Sequence, residues 1–147
     1  MRLRSGPKES YFWRKHLQPY LAAHGFINIR LAFNGIGETD CLAYKYPYYF
    51  GIELKRVRDA GCHSAAIHAQ MQAGLSKAQR RRIKSVTASG GIHVVMAQGR
   101  GGWLYASVTQ NNASTGLQRH DLSLSGATVA DALTAFFATY NFREAGK

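Results

Sequence analysis

Asp40, Glu53 and Lys55 are the residues from which this chain can build chemistry. The sequence holds 8 Asp and Glu in all. Two of them fall inside runs that read as β-strands, beside Cys41, Leu42, Ile52 and Leu54. A charge inside an apolar strand is costly unless something holds it there. Glu53 and Lys55 are separated by one residue, so they project from one strand face. With a tight turn at Tyr46-Pro47, the hairpin register sets Asp40 directly across from Glu53 on that same face. Two carboxylates about 5 Å apart repel each other unless positive charge lies between them. One lysine offsets one carboxylate and leaves room for a divalent cation. Hard oxygen ligands hold Mg2+ or Mn2+ well, and such an ion polarises a phosphoryl oxygen and activates water, so the set suits phosphodiester hydrolysis. Lys55 would orient or deprotonate the attacking water, or offset developing charge. The alternative reading is a plain cross-strand salt bridge of Asp40 or Glu53 with Lys55 on a solvated face.

The elements that must position these residues can be read along the chain. Ser5 is a candidate cap and Pro7 a first-turn residue for a helix over 7–24, whose stripe is Phe12, Trp13, Leu17, Tyr20 and Leu21. Pro19 disfavours helical geometry at Gln18, which predicts a kink or a second short piece ending at Gly25. Strands are expected over 26–33, 40–46 and 49–57, the last two forming the hairpin around Pro47. Residues 58–74 are alanine-rich and of mixed polarity, and read as a loop with one helical turn at most. Ser76-Lys77-Ala78-Gln79 is a capping-box pattern opening a helix to about Ser89, stopped by Gly90-Gly91, with a thin stripe of Leu75, Gln79, Arg82/Ile83 and Val86. Strands over 92–97 and 103–108 form a second hairpin across a glycine turn. Residues 111–126 read as a polar surface loop. Thr128 and Asp131 cap a last helix with Val129, Leu133, Phe136, Phe137 and Tyr140 inward. The order is α-β-β-β-α-β-β-α, an α/β or α+β chain with a sheet flanked by helices in a single domain, 1–147.

Composition bounds the partners. The 147 residues are 46% hydrophobic and 18% charged, enough for one core. The 19 Lys and Arg give a formal +11. Basic charge recruits phosphates through counterion release, so nucleic acid is the leading partner and an anionic membrane the second. No apolar run approaches a membrane span, the start of the chain does not read as a secretion signal, and the clean amphipathic helix at 128–140 is not basic. Cys41 and Cys62 read as reduced cytosolic thiols. With His63 and His68 they lack the paired spacing of a zinc site, and Cys41 alternates away from the Asp40 face. No Ser, His and Asp set with a nucleophile elbow is visible.

Other residues carry two readings each. Glu9, spaced with Phe12, Trp13 and His16, falls on the buried face of the first helix; it is either a site residue or a first-turn acid favoured by the helix dipole. Gln79 is the third residue of its capping box and also stands where the helix start faces the proposed site. Arg80, Arg81 and Arg82 span about 200° of helix circumference, so they cannot form one surface. Lys77, Arg80, Arg81 and Lys84 are the phosphate-contact candidates on that helix, joined by Arg56, Arg58 and Arg100; the alternative is a solvated helix face. Tyr44, Tyr46, Tyr48 and Tyr49 stack bases, pack the sheet or form an oligomer contact.

Taken together, Asp40, then Gly51-Ile52-Glu53-Leu54-Lys55, inside an α-β-β-β-α-β order, resembles the PD-(D/E)XK nuclease superfamily, whose signature is an Asp followed by Glu-x-Lys on the next strand. Glu9, Gly37 to Asp40, Ile52 to Lys55 and Leu75 to Gln79 occur in the order seen in the virus-type replication-repair nucleases (VRR-NUC) and their phage relatives. The likeness covers roughly residues 8–97, and the Gly-Gly-Trp-Leu turn at 101–104 is also phage-like. Thr39 replaces the family's Pro, and 58–74 is an insertion. The resemblance implies a restriction-endonuclease-like αβββαβ core with a mixed central sheet, plus an extra C-terminal strand and helix. It implies metal ligation by Asp40, Glu53 and the Leu54 carbonyl, with Glu9 as a further ligand and Lys55 and Gln79 completing the site. It further implies a Mg2+- or Mn2+-dependent endodeoxyribonuclease acting on branched or flapped replication, repair and recombination intermediates, in the cytoplasm of a bacterium or a phage-infected host. A homodimer is expected if both strands of a junction are cut. The rival reading is a non-catalytic nucleic-acid-binding module that retains the fold.

Overall fold

A computed structural model of the chain describes residues 4–32, 39–59 and 64–142. Gly37, Cys62 and His63, named above, lie outside the described residues. The elements are β1 (Arg4–Ser5), α1 (Glu9–Phe12), a π-helical turn (Trp13–Leu17), α2 (Gln18–Ala23), β2 (Ile27–Ala32), β3 (Thr39–Lys45), β4 (Tyr48–Lys55), β5 (Arg58–Asp59), α3 (Ser64–Ala73), α4 (Lys77–Ala88), β6 (Ile92–Gln98), β7 (Trp103–Asn112), β8 (Gly116–Ser125) and α5 (Val129–Phe137). The architecture is α+β, with a mixed six-stranded sheet in the order β2-β3-β4-β6-β7-β8 flanked by helices. Every neighbouring pair in it is antiparallel except β4 with β6.

The sheet has a core on each side, and period-two alternation along its strands divides residues between them. One side buries Phe12, Leu17 and Leu21 of the first helical segment and Leu133 and Phe136 of α5 against Phe50, Ile52, Leu54, Val94 and Met96. The other packs Ile67 and Met71 of α3 and the adjoining Leu75 on Val57, Val95, Ala97 and Tyr105. Each fully buried side chain of this size stabilises the fold by about 1.5–3 kcal/mol. An aromatic cluster of Phe26, Tyr48, Phe50, Phe137, Tyr140 and Phe142 closes one end of the first core.

Three local expectations are corrected. Ser5 is not a cap: its backbone pairs with Arg58 in a two-stranded ribbon, and the N-cap position belongs to Lys8. The short second piece expected around Pro19 is present: a π-helical turn precedes Gln18–Ala23, in which Pro19, lacking an N–H, sits in the first turn. Residues 64–73 form the full helix α3, and residues 116–125 form the edge strand β8 in place of a loop. The chain therefore adds one C-terminal strand, an inserted helix and the short β1–β5 ribbon to the expected order.

The hairpin register appears as anticipated, with Asp40 paired to Glu53 and the turn at Tyr46-Pro47. Gly51 is needed where α4 crosses β4, because a Cβ there would lie 2.9 Å from Val86 Cγ2. That close approach seats the last turn of α4 on the strand that carries Glu53 and Lys55.

Candidate functional site

Glu53 is 1% exposed, although it is charged. It lies on the sheet face beneath α4, while its neighbours Ile52 and Leu54 turn to the opposite core. An unmatched buried carboxylate costs several kcal/mol, so its surroundings must supply compensating charge and hydrogen bonds. Gln79 Nε2 donates a long hydrogen bond of 3.4 Å to Glu53 Oε2, and Arg82 Nη1 lies 3.5 Å from Glu53 Oε1. Lys55 Nζ donates to Gln79 Oε1 and to the Gly74 carbonyl, each at 2.9 Å. The Gln79 side chain thus bridges Glu53 and Lys55.

The sequence folds this way locally because Ser76 fixes the helix start. Its hydroxyl accepts from the Gln79 N–H at 3.1 Å, and its own N–H donates to Gln79 Oε1 at 3.0 Å. The capping and site readings of Gln79 are therefore one geometry: a single amide oxygen closes the box and receives Lys55, and the amide nitrogen remains for Glu53. The thin apolar stripe of α4 has the same cause. Gln79 and Arg82 occupy stripe positions because the surface opposite them is a carboxylate.

Asp40, described by its backbone, stands across the ladder from Glu53. Glu9 is half-buried in the first turn of α1, a helix packed against β6. The Leu54 side chain belongs to the far core, on the side of the sheet away from Glu53. Among the described residues, no three His, Cys, Asp or Glu side chains group as metal ligands. The donor chemistry nevertheless suits a divalent cation. Asp40 and Glu53 are hard oxygen donors in direct register, and Glu53 already draws a guanidinium to its oxygen.

The basic candidates separate into two groups. Lys77, Arg81 and Lys84 are exposed along α4. Arg80 and Arg56 are exposed but engaged, Arg80 Nη2 donating to the Gln72 carbonyl at 2.7 Å and Arg56 Nε to the Gly6 carbonyl at 2.8 Å. Arg58 holds Gln70 of α3 through both backbone groups, at 2.8 and 2.7 Å. Arg100 is exposed in the β6–β7 turn. Tyr44 and Tyr46 are exposed, whereas Tyr48 packs against Phe50, Tyr140 and Phe142.

Sequence reasoning missed three features. Arg82 was the arginine of the basic run left without a role; its place in the α4 stripe, three residues after Gln79, was the available signal. His93 is 0% exposed on β6, and neither ring nitrogen has a hydrogen-bond partner among the described residues. Burial, reinforced by the Arg82 charge, lowers its pKa to about 4, so it is neutral at pH 7. The third is a polar cluster where α3 meets β7 and β8. His68 Nδ1 lies 3.1 Å from Ser107 Oγ and Nε2 lies 3.2 Å from Ser123 Oγ, while Ser107 Oγ donates to Asp121 at 2.7 Å. Arg119 Nη2 closes on the other Asp121 oxygen at 3.1 Å. No strand-to-helix elbow carries either serine, and the cluster ties the helix to the sheet; burial lowers the His68 pKa. No sequence pattern predicted it, because its members come from three elements of which two were read as loops.

No family model, curated protein or solved structure matches the chain. No helix among the described residues is long and apolar enough to cross a membrane.

Proposed function

We propose that the chain is a Mg2+- or Mn2+-dependent endodeoxyribonuclease of the PD-(D/E)XK type, with a restriction-endonuclease-like core, hydrolysing DNA phosphodiester bonds in branched or flapped substrates. The observation that carries this reading is the buried carboxylate of Glu53, in register with Asp40 and joined through Gln79 to Lys55. The +11 charge supplies attraction to a polyanion. Asp40, Glu53 and the Leu54 carbonyl would hold the cation, with Glu9 as a further ligand. Bound there, the ion would polarise the scissile phosphate and lower the pKa of the attacking water.

The chain's own part follows from its hydrogen bonds. An ammonium has three donors. Two of those on Lys55 go to Gly74 and Gln79, which fixes the direction of the third. That N–H is the group to orient the water and to offset charge as the P–O bond breaks. Exposed Lys77, Arg81 and Lys84 seat the DNA backbone without reading its bases.

The test is incubation of linear, flapped and four-way DNA with Mg2+ or Mn2+, comparing the wild type with Asp40→Asn and Lys55→Ala. Cleavage by the wild type and its loss in both variants supports the proposal. Binding without cleavage of any substrate favours a second reading, a non-catalytic DNA-binding module. One observation speaks for that reading: Arg82 already answers the charge of Glu53.

A further inference from the structure

Arg82 stands where a cation for Glu53 is needed. Its guanidinium reaches from the second turn of α4 to 3.5 Å from Glu53 Oε1, with the arginine side chain 28% exposed and that of Glu53 1% exposed. The head group therefore lies between a buried carboxylate and solvent. Gln79 approaches the other carboxylate oxygen, so the two oxygens have different neighbours: an amide on Oε2 and a full positive charge on Oε1. His93, the other titratable side chain buried under α4 beside Arg82, is neutral at pH 7 and adds no second charge.

A divalent ion and a guanidinium cannot share this oxygen closely, because their mutual repulsion grows steeply at contact distance. A change of rotamer carries the Arg82 head outward from its fixed helix. The planar fork then meets solvent on the flank of α4, about 100° around the helix from Arg81, and a phosphate is the group it matches best.

We infer that Arg82 is the resident counter-ion of Glu53 in the metal-free protein and is exchanged on to a DNA phosphate when a divalent cation arrives. This inference rests on the nuclease reading. It makes metal and DNA mutually dependent: the ion releases Arg82 for the phosphate, and the phosphate keeps Arg82 away from the ion's site. By linkage, each ligand raises the affinity for the other by the same factor. Arg82 is thus a cation competitor before DNA binds and a phosphate contact afterwards.

The experiment titrates Mn2+ into wild-type protein and Arg82→Met, counting free Mn2+ by its paramagnetic resonance, and then follows single-turnover cleavage at saturating Mn2+. Without DNA, Arg82→Met is expected to bind Mn2+ about tenfold more tightly than wild type, yet to cleave at least about tenfold more slowly. A purely structural arginine would not move the two readouts in opposite directions. Arg82→Gln, which keeps a hydrogen-bonding head without the charge, is expected to shift both in the same sense and serves if Arg82→Met does not fold. Mn2+ affinity that is unchanged or weaker in a folded variant overturns the inference and leaves the nuclease reading standing. Absence of Mn2+ binding and of cleavage in the wild type overturns both.

Discussion

Lys55 Nζ and the Gln79 amide oxygen meet at 2.9 Å across 24 residues of chain. The same oxygen accepts the Ser76 N–H, so the end of β4 and the beginning of α4 share one acceptor. Stability of the helix start and aim of the lysine are consequently coupled. Replacing Ser76 by Ala removes the hydroxyl that fixes Gln79 and is expected to cost about 1 kcal/mol. Urea unfolding measures that loss, and the cleavage rate of the same variant should fall because Lys55 loses its fixed direction.

Gln79→Ala tests the bridge itself. It removes the contacts to both Glu53 and Lys55, and the expected result is a larger loss of rate than Ser76→Ala, with DNA affinity little changed. Gel-shift titration beside single-turnover kinetics separates the two effects. Under the proposed mechanism, Lys55→Ala should lower the rate by about 100- to 1,000-fold, the usual consequence of losing one charge-stabilising donor.

His93 sets a pH dependence of stability. The folded protein holds the His93 proton less tightly than the unfolded chain, for burial first and Arg82 second lower its pKa from 6.5 to about 4. As the pH falls, the unfolded state takes up this proton first. The contribution of neutral His93 is complete above 6.5 and is lost as the pH drops toward about 4. The loss is on the order of 3 kcal/mol across that window. Urea midpoints measured between those limits should fall for the wild type and change less for His93→Leu.

Gly51→Ala probes how closely α4 must approach the sheet. A methyl group at that position would stand 2.9 Å from Val86 Cγ2 and 3.7 Å from His93 Cδ2. Overpacking of this kind costs about 1–3 kcal/mol. Thermal unfolding should report the cost, and the outward displacement of α4 should lengthen the Gln79–Glu53 contact.

Exposed Lys77, Arg81 and Lys84 should act on affinity uniformly across DNA sequences. Each Lys or Arg to Gln change that removes a phosphate contact is expected to reduce the slope of log K against log salt by about one. Fluorescence anisotropy over a range of salt concentrations provides the slopes.

The sequence exposes the hairpin, the α4 capping box and the α5 stripe because in each case one local rule decides the outcome. The Asp40–Glu53 pairing follows from a two-residue turn, and Ser76 and Thr128 each have their capping partner three residues on. β8 escaped notice because most of its residues, from Gly116 to Asp121, are exposed and show no apolar alternation. α3 escaped because its inward side includes His68, which is held by serines from β7 and β8 and not by a hydrophobic core. Arg82 was obscured by its neighbours: in a run of three arginines, its place in the α4 stripe, three residues after Gln79, is the one local mark of the residue that turns toward a carboxylate.

The single parallel step in the described sheet, from β4 to β6, divides the pocket between two separate stretches of chain. Asp40 and Glu53 meet through a short hairpin and require little chain. Gln79 and Arg82 travel on the long crossover between two parallel neighbours, on a helix that packs on β4 and also on β6 and β7. A ribosome-bound chain that has emerged only as far as Lys55 thus owns the acidic pair but not the helix that surrounds it.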